Sequence, residues 1–300
     1  MLEQAADSNQ RAVEFLSDGL CIRGTLRVPS GDGPHPLVIL GHGFGGLKEW
    51  TIPETVDALI EIGIAGLAFD YRNFGDSEGL PREEIAHLGR LQDWQDAITY
   101  ATTLSEIDPH RIGIWGTSLG GRDVLVVGSI DRRVKAILAQ TPLIQWTAQS
   151  AARAAGYGDD LERYYLELAD DRRNRQLGKE PRYLPFVQAT GDEAKEEYVE
   201  SLSPDEIRNY HDRITLQSFS PSVLTDATSL VPLIAPTPIR FVLADGDFLP
   251  GQRQAYSAAG GRKSLVEIEG NHFAPYLRSR RQAIVAAQEW FAEMFMTTPK

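Results

Sequence analysis

Arg111-Ile112-Gly113-Ile114-Trp115-Gly116-Thr117-Ser118-Leu119-Gly120-Gly121 decides how the whole chain is read. An apolar run suited to a buried strand meets Gly116, Ser118 and Gly120, and Asp123-Val124-Leu125-Val126-Val127 continues beyond them as a helix. A strand that turns this sharply into a helix strains the backbone of Ser118 and admits only tiny residues where the two elements nearly touch. The hydroxyl then stands exposed on the bend, at a helix N-terminus whose unpaired amides and partial positive charge favour an oxyanion beside it. This pattern is G-x-S-x-G, a nucleophile elbow. Three fixed residues recur by chance in many proteins, so the strand before and the helix after carry the weight.

Working outward, apolar residues 37–40, 65–69 and 134–139 read as strands covered on both faces. Between them, Ile52, Val56, Leu59 and Ile60, ended by Gly63, and Leu91, Trp94, Ile98 and Ala101 mark two amphipathic helices. The first ten residues are polar, and Val13-Glu14-Phe15 and residues 21–26, joined at Asp18-Gly19, read as an N-terminal hairpin. Residues 239–243 and 264–268 read as the last two strands, and Ile284, Ala287, Phe291 and Phe295 stripe a closing helix. The fold class is therefore α/β, a mostly parallel doubly wound sheet with its functional loops at the C-terminal strand ends.

The alternation breaks for roughly ninety residues, far beyond an ordinary crossover. There Leu161, Tyr164, Tyr165 and Leu168 give one helical face, residues 170–175 a charged turn, and residues 195–202 and 204–211 two short helices. Residues 143–235 are read as a helical lid or cap inserted into a core of residues 1–142 and 236–300, with a purely structural extension as the competing reading.

Composition narrows the partners. Thirty basic against 42 acidic residues leave a net charge of −12, which repels nucleic acid and anionic membranes and suits a small-molecule partner. No apolar run approaches the roughly 20 residues that span a bilayer, and no basic-apolar leader opens the chain, so a cytoplasmic protein is expected. A homo-oligomer is compatible with this reading. Cys21, the single cysteine, is expected to be buried for packing. Gly41-His42-Gly43-Phe44-Gly45-Gly46 departs from a phosphate loop because Lys48 does not follow its glycine directly. His42 has no second histidine at metal spacing and is read as a loop brace. No metal and no cofactor are expected.

A serine hydroxyl needs a base to remove its proton and a third group to orient that base. Ser118, Asp247 and His272 supply all three, each after an expected strand and in the order serine, acid, histidine. Asp245 stands two residues before Asp247, and only one of them can be aimed at His272. Asp247 is favoured because Gly246 lets the chain turn it, leaving Asp245 to cap the turn.

The chain resembles the α/β-hydrolase superfamily, and more narrowly its dienelactone-hydrolase-like branch, which includes fungal polyketide transferases and thiohydrolases. The resemblance rests on residues 41–50 (GHGFGGLKEW), 69–79 (FDYRNFGDSEG), 108–121 (DPHRIGIWGTSLGG), 182–186 (RYLPF) and 209–221 (NYHDRITLQSFSP), with the acid and histidine loops. It implies a serine hydrolase or acyl transferase acting on esters, lactones or thioesters without a cofactor, and it makes the backbone amides of Phe44 and Leu119 the oxyanion donors. Thr117 beside the serine and Asn271 before the histidine depart from common family choices, so specificity does not transfer. Leu143, Trp146 and Phe273, with Phe44, are candidates for an apolar substrate pocket. Peptidase or carbon–carbon bond hydrolase chemistry, and a ligand receptor that keeps the hydrolase shell, are the alternatives to ester hydrolysis.

Overall fold

The computed structural model describes residues 9–187, 193–220 and 227–297. Residues 1–8 of the polar N-terminus, and Pro221 of the 209–221 motif, lie outside the described residues. The strands are β1 (Gln10–Ser17), β2 (Leu20–Arg27), β3 (His35–Gly41), β4 (Ala65–Phe69), β5 (Ile107–Thr117), β6 (Val134–Gln140), β7 (Tyr183–Leu184), β8 (Ile214–Thr215), β9 (Ile239–Ala244) and β10 (Lys263–Ile268). Eight form one sheet in the order β1-β2-β4-β3-β5-β6-β9-β10, while β7 and β8 pair separately. Pairing is antiparallel from β1 to β2 and from β2 to β4, and parallel across the rest of the large sheet.

Burial on both faces explains why the central strands are apolar throughout. In β3, Leu37 and Ile39 join a cluster with Trp94, Val124 and Leu125, contributed by α2 (His87–Ala101) and α3 (Leu119–Ile130). The alternate residues Val38 and Leu40 join Val56, Leu59, Trp290 and Phe291, from α1 (Ile52–Glu61) and α8 (Arg280–Phe295). The period-two alternation of a strand thus splits one run between two cores. The closing stripe is set by Ala283, Ala287, Trp290, Phe291 and Phe295, with Ile284 only half-buried.

Between β6 and β9 lie α4 (Ala148–Ala154), α5 (Leu161–Gln176), α6 (Glu193–Glu200) and the small β7–β8 pair. Their apolar residues form a third cluster that also takes Leu47, Trp50, Leu119 and Tyr276 from loops and helix starts of the large sheet. The helix expected over residues 204–211 is a series of turns instead. A helix would use the Glu206 carbonyl for the amide of residue 210, but that carbonyl accepts from Trp50 Nε1 at 2.9 Å, and Tyr210 N–H donates to Ile207 at 3.0 Å. Tyr210 is thereby brought edge-on to Trp50, with ring centroids 5.0 Å apart.

Three further expectations change. Residues 170–175, expected as a charged turn, continue α5 to Gln176, because Asp170, Arg172 and Arg173 face solvent and i,i+3 and i,i+4 ion pairs such as Arg175 with Asp171 run along the helix. The structure adds α7 (Gln252–Ala258) between β9 and β10, a helix too short in apolar residues to announce itself by periodicity. Cys21 is half-buried rather than buried, on the side of β2 away from Ile22. Among the described residues, no helix is long and apolar enough to cross a membrane.

Candidate active site

The turn at residue 118 has the geometry its neighbours suggested. Ser118 sits at φ 54° and ψ −116° between the end of β5 and the start of α3. A Cβ at Gly116 would lie 2.1 Å from the Gly120 carbonyl oxygen, and one at Gly120 would lie 2.6 Å from that of His42. Neither approach is open to a residue with a side chain. Three backbone bonds pin the bend: Ser118 N–H donates to Gln140, while its carbonyl accepts from Leu143 at 2.9 Å and from Arg122 at 3.2 Å.

Sheet topology then gathers residues far apart in the chain. His272, after β10, places Nε2 3.1 Å from Ser118 Oγ and Nδ1 2.9 Å from Asp247 Oδ2, after β9. The side chains of His272 and Asp247 are 6% and 2% exposed. Asp245 points elsewhere, accepting from Gly270 N–H at 2.8 Å. Asp247 is further held by Leu249 N–H on Oδ1, at 2.8 Å, and by Gln252 Nε2 on Oδ2, at 2.9 Å. An acceptor carboxylate at Nδ1 keeps the ring proton there and leaves the Nε2 lone pair facing the serine hydroxyl. Such a ring is placed to take the hydroxyl proton.

The candidate oxyanion donors belong to two backbone turns that meet at Ser118. Leu119 opens α3, so its amide belongs to the first turn, which has no carbonyl partners within the helix. Phe44 follows Gly43, where an added Cβ would stand 2.9 Å from Ser118 Cβ. Above them opens a cavity of about 460 Å³. Leu143, Trp146, Phe44 and Phe273 all line it, joined by Phe186, Tyr198 and Phe219 from the stretch between β6 and β9. Its lining is mostly apolar and aromatic, as small-molecule sites commonly are.

Sequence reading missed several residues here. Tyr198 meets His42 Nε2 at 3.1 Å. Arg90, buried at 1% exposure, bonds Asp123 at 2.9 Å through Nε and the His42 carbonyl at 3.0 Å through Nη2. Gln252 belongs to the unanticipated α7. The only signals for them in the chain were a charged residue inside an amphipathic helix and isolated aromatics in a polar stretch. Thr117, noted as a departure, bonds through its hydroxyl to that of Tyr276 and accepts from Gln140 Nε2 at 3.2 Å, away from solvent. Lys48 spans Glu49, Asp70 and Asp76, with Nζ 2.7 Å from a carboxylate of each. Its ammonium is the counter-charge of the three acids in the described residues whose oxygens cluster closely enough to suit a metal ion.

The family described as alpha/beta hydrolase fold matches over residues 36–219. The chain is 28% identical to thiohydrolase aneE of Aspergillus aculeatus, covering 98% of this chain and 96% of that protein. It is 32% identical to polyketide transferase grgF of a Penicillium species, covering 78% of each. The crystal structure of the α/β hydrolase GrgF from Penicillium sp. sh18 superposes with a TM-score of 0.81, at 25% identity over 96% of this chain and 99% of that one.

Proposed function

The chain belongs to the α/β-hydrolase fold family, an enzyme with hydrolase activity, and from that premise we propose that it cleaves a carboxylic ester, lactone or thioester of a small molecule through an acyl-enzyme. One observation carries the reading: Ser118 Oγ, His272 and Asp247 stand in hydrogen-bond sequence at 3.1 and 2.9 Å beside an apolar cavity. His272 takes the Ser118 proton as Oγ attacks the substrate carbonyl, and Asp247 holds and stabilises the resulting imidazolium. The carbonyl oxygen, now an oxyanion, is held by the amides of Phe44 and Leu119. Collapse expels the alcohol or thiol, protonated by His272. Water, deprotonated by the same ring, then releases the acid and restores Ser118.

Acyl transfer at the same site is the second reading, favoured by the polyketide transferase relative and by the apolar lining, in which an alcohol acceptor competes with water. Residues 143–235 act as the lid in this account, since Leu143, Trp146, Phe186, Tyr198 and Phe219 line the cavity. A small-molecule substrate is consistent with the net charge of −12.

The test is labelling with a fluorophosphonate, followed by competition with esters, lactones, acyl thioesters and short peptides. Label is expected on Ser118, with protection strongest for an ester, lactone or thioester. Labelling that persists in Ser118→Ala, or protection by peptides alone, contradicts the proposal.

A further inference from the structure

The peptide between His42 and Gly43 is held at both of its polar atoms. Its carbonyl accepts from Arg90 Nη2 at 3.0 Å, and its N–H donates to the ring of its own histidine, at Nδ1, 2.7 Å away. A nitrogen that accepts carries no proton, so the neutral ring bears its proton on Nε2, 3.1 Å from the Tyr198 hydroxyl. Burial first, and the Arg90 guanidinium second, push the His42 pKa down to about 3, so the neutral form persists near neutrality. The loop is shaped around this ring, since a Cβ at Gly46 would fall 1.9 Å from Nδ1.

Tyr198 comes from α6, outside the large sheet, yet it is 3% exposed. Its ring lies 5.1 Å from that of Tyr276 and 5.9 Å from those of Phe273 and Trp50. It is thus wedged between the histidine loop and the loop that carries Phe44. We infer that Tyr198 is a positioning residue: by accepting the His42 Nε2 proton it holds the tautomer whose Nδ1 anchors Gly43, and so aims the next amide in the chain, that of Phe44, at the reacting carbonyl. The oxyanion site is then complete only with α6 seated, which couples the stretch between β6 and β9 to turnover and not merely to substrate fit. This rests on the reading of Ser118 as nucleophile and Phe44 as donor.

Tyr198→Phe keeps the ring and removes the acceptor. Removing an oxyanion donor outright costs on the order of 10²–10³ in kcat, so mis-aiming one is expected to cost on the order of tenfold, with KM for a short nitrophenyl ester nearly unchanged. Affinity for a trifluoromethyl ketone, whose serine adduct carries the oxyanion, is expected to fall by the same factor. Unchanged kcat and ketone affinity overturn the inference, as does a loss of kcat without matching loss of ketone affinity. Should that variant fail to fold, nitrogen NMR of His42 in the wild-type protein still decides: protonation on Nε2 is expected, and protonation on Nδ1 overturns it. Ser118→Ala separates the two levels. Full turnover there removes the hydrolase reading itself, whereas an inactive Ser118→Ala beside an unaltered Tyr198→Phe removes only the role of Tyr198.

Discussion

Asp245 and Asp247 follow the same strand, but the turn between them gives them different work. Asp247 reaches His272, while Asp245 ties the β9 turn to the Gly270 amide. Asp247→Asn is therefore expected to lower kcat by on the order of 10⁴, through the wrong imidazole tautomer, with the fold intact by circular dichroism. Asp245→Ala, which removes the acceptor, is expected to keep kcat within a few-fold while losing about 1 kcal/mol of stability in urea, the worth of one hydrogen bond. The reverse pattern would exchange their roles. His87 supplies a pH prediction. Burial first, then Arg122, push its pKa from 6.5 down to about 4, against a Ser218 carbonyl 3.1 Å from Nε2 that favours the charged ring. The folded state keeps the ring neutral while the unfolded chain protonates it, so stability is complete above pH 6.5 and is lost as pH falls toward about 4. One such proton amounts to about 1.4 kcal/mol per pH unit. His87→Gln should flatten the acid limb of a urea-midpoint titration by that slope, and an unchanged slope would contradict the assignment.

Elements fail differently from single contacts. The β5–α3 elbow depends on backbone approaching backbone, and a side chain at Gly120 meets the His42 and Gly41 carbonyl oxygens at 2.6 and 2.7 Å. Gly120→Val is expected to cost about 3 kcal/mol or more through overpacking that cannot relax, lowering soluble yield and activity together. A stable, fully active valine variant would contradict the close approach. In the stretch between β6 and β9, Trp146 stands 6.0 Å from the Phe44 ring and lines the cavity. Trp146→Ala is expected to change kcat/KM for bulky esters by on the order of tenfold relative to phenyl acetate, because it removes apolar wall that only a large substrate touches. Equal changes for large and small esters would make the residue structural.

At the scale of the molecule, the third apolar cluster joins Tyr164, Phe186, Tyr198 and Phe219 to Leu47, Trp50, Leu119 and Tyr276 of the sheet's loops. A shared core of this kind leaves the inserted stretch no interface along which to melt alone, so tryptophan fluorescence and far-ultraviolet circular dichroism should report one coincident urea transition. Two separated transitions would show that the stretch unfolds independently. The sequence by itself determined the strands of the large sheet, the helices α1, α2, α3 and α8 around them, the elbow at Ser118 and the candidates Asp247 and His272, because each follows from local periodicity or from a turn that only a few residue types can make. It did not determine the turns at residues 204–211, the tie from Gln252 to Asp247, or the path from Tyr198 through His42 to Gly43. Those rest on partners brought together from more than a hundred residues away, as when Trp50 takes the Glu206 carbonyl that a helix would have used, or on a helix too short to show a period. Tertiary packing decided them, because a side chain's partner depends on which surfaces the sheet brings into contact and not on its neighbours in the chain.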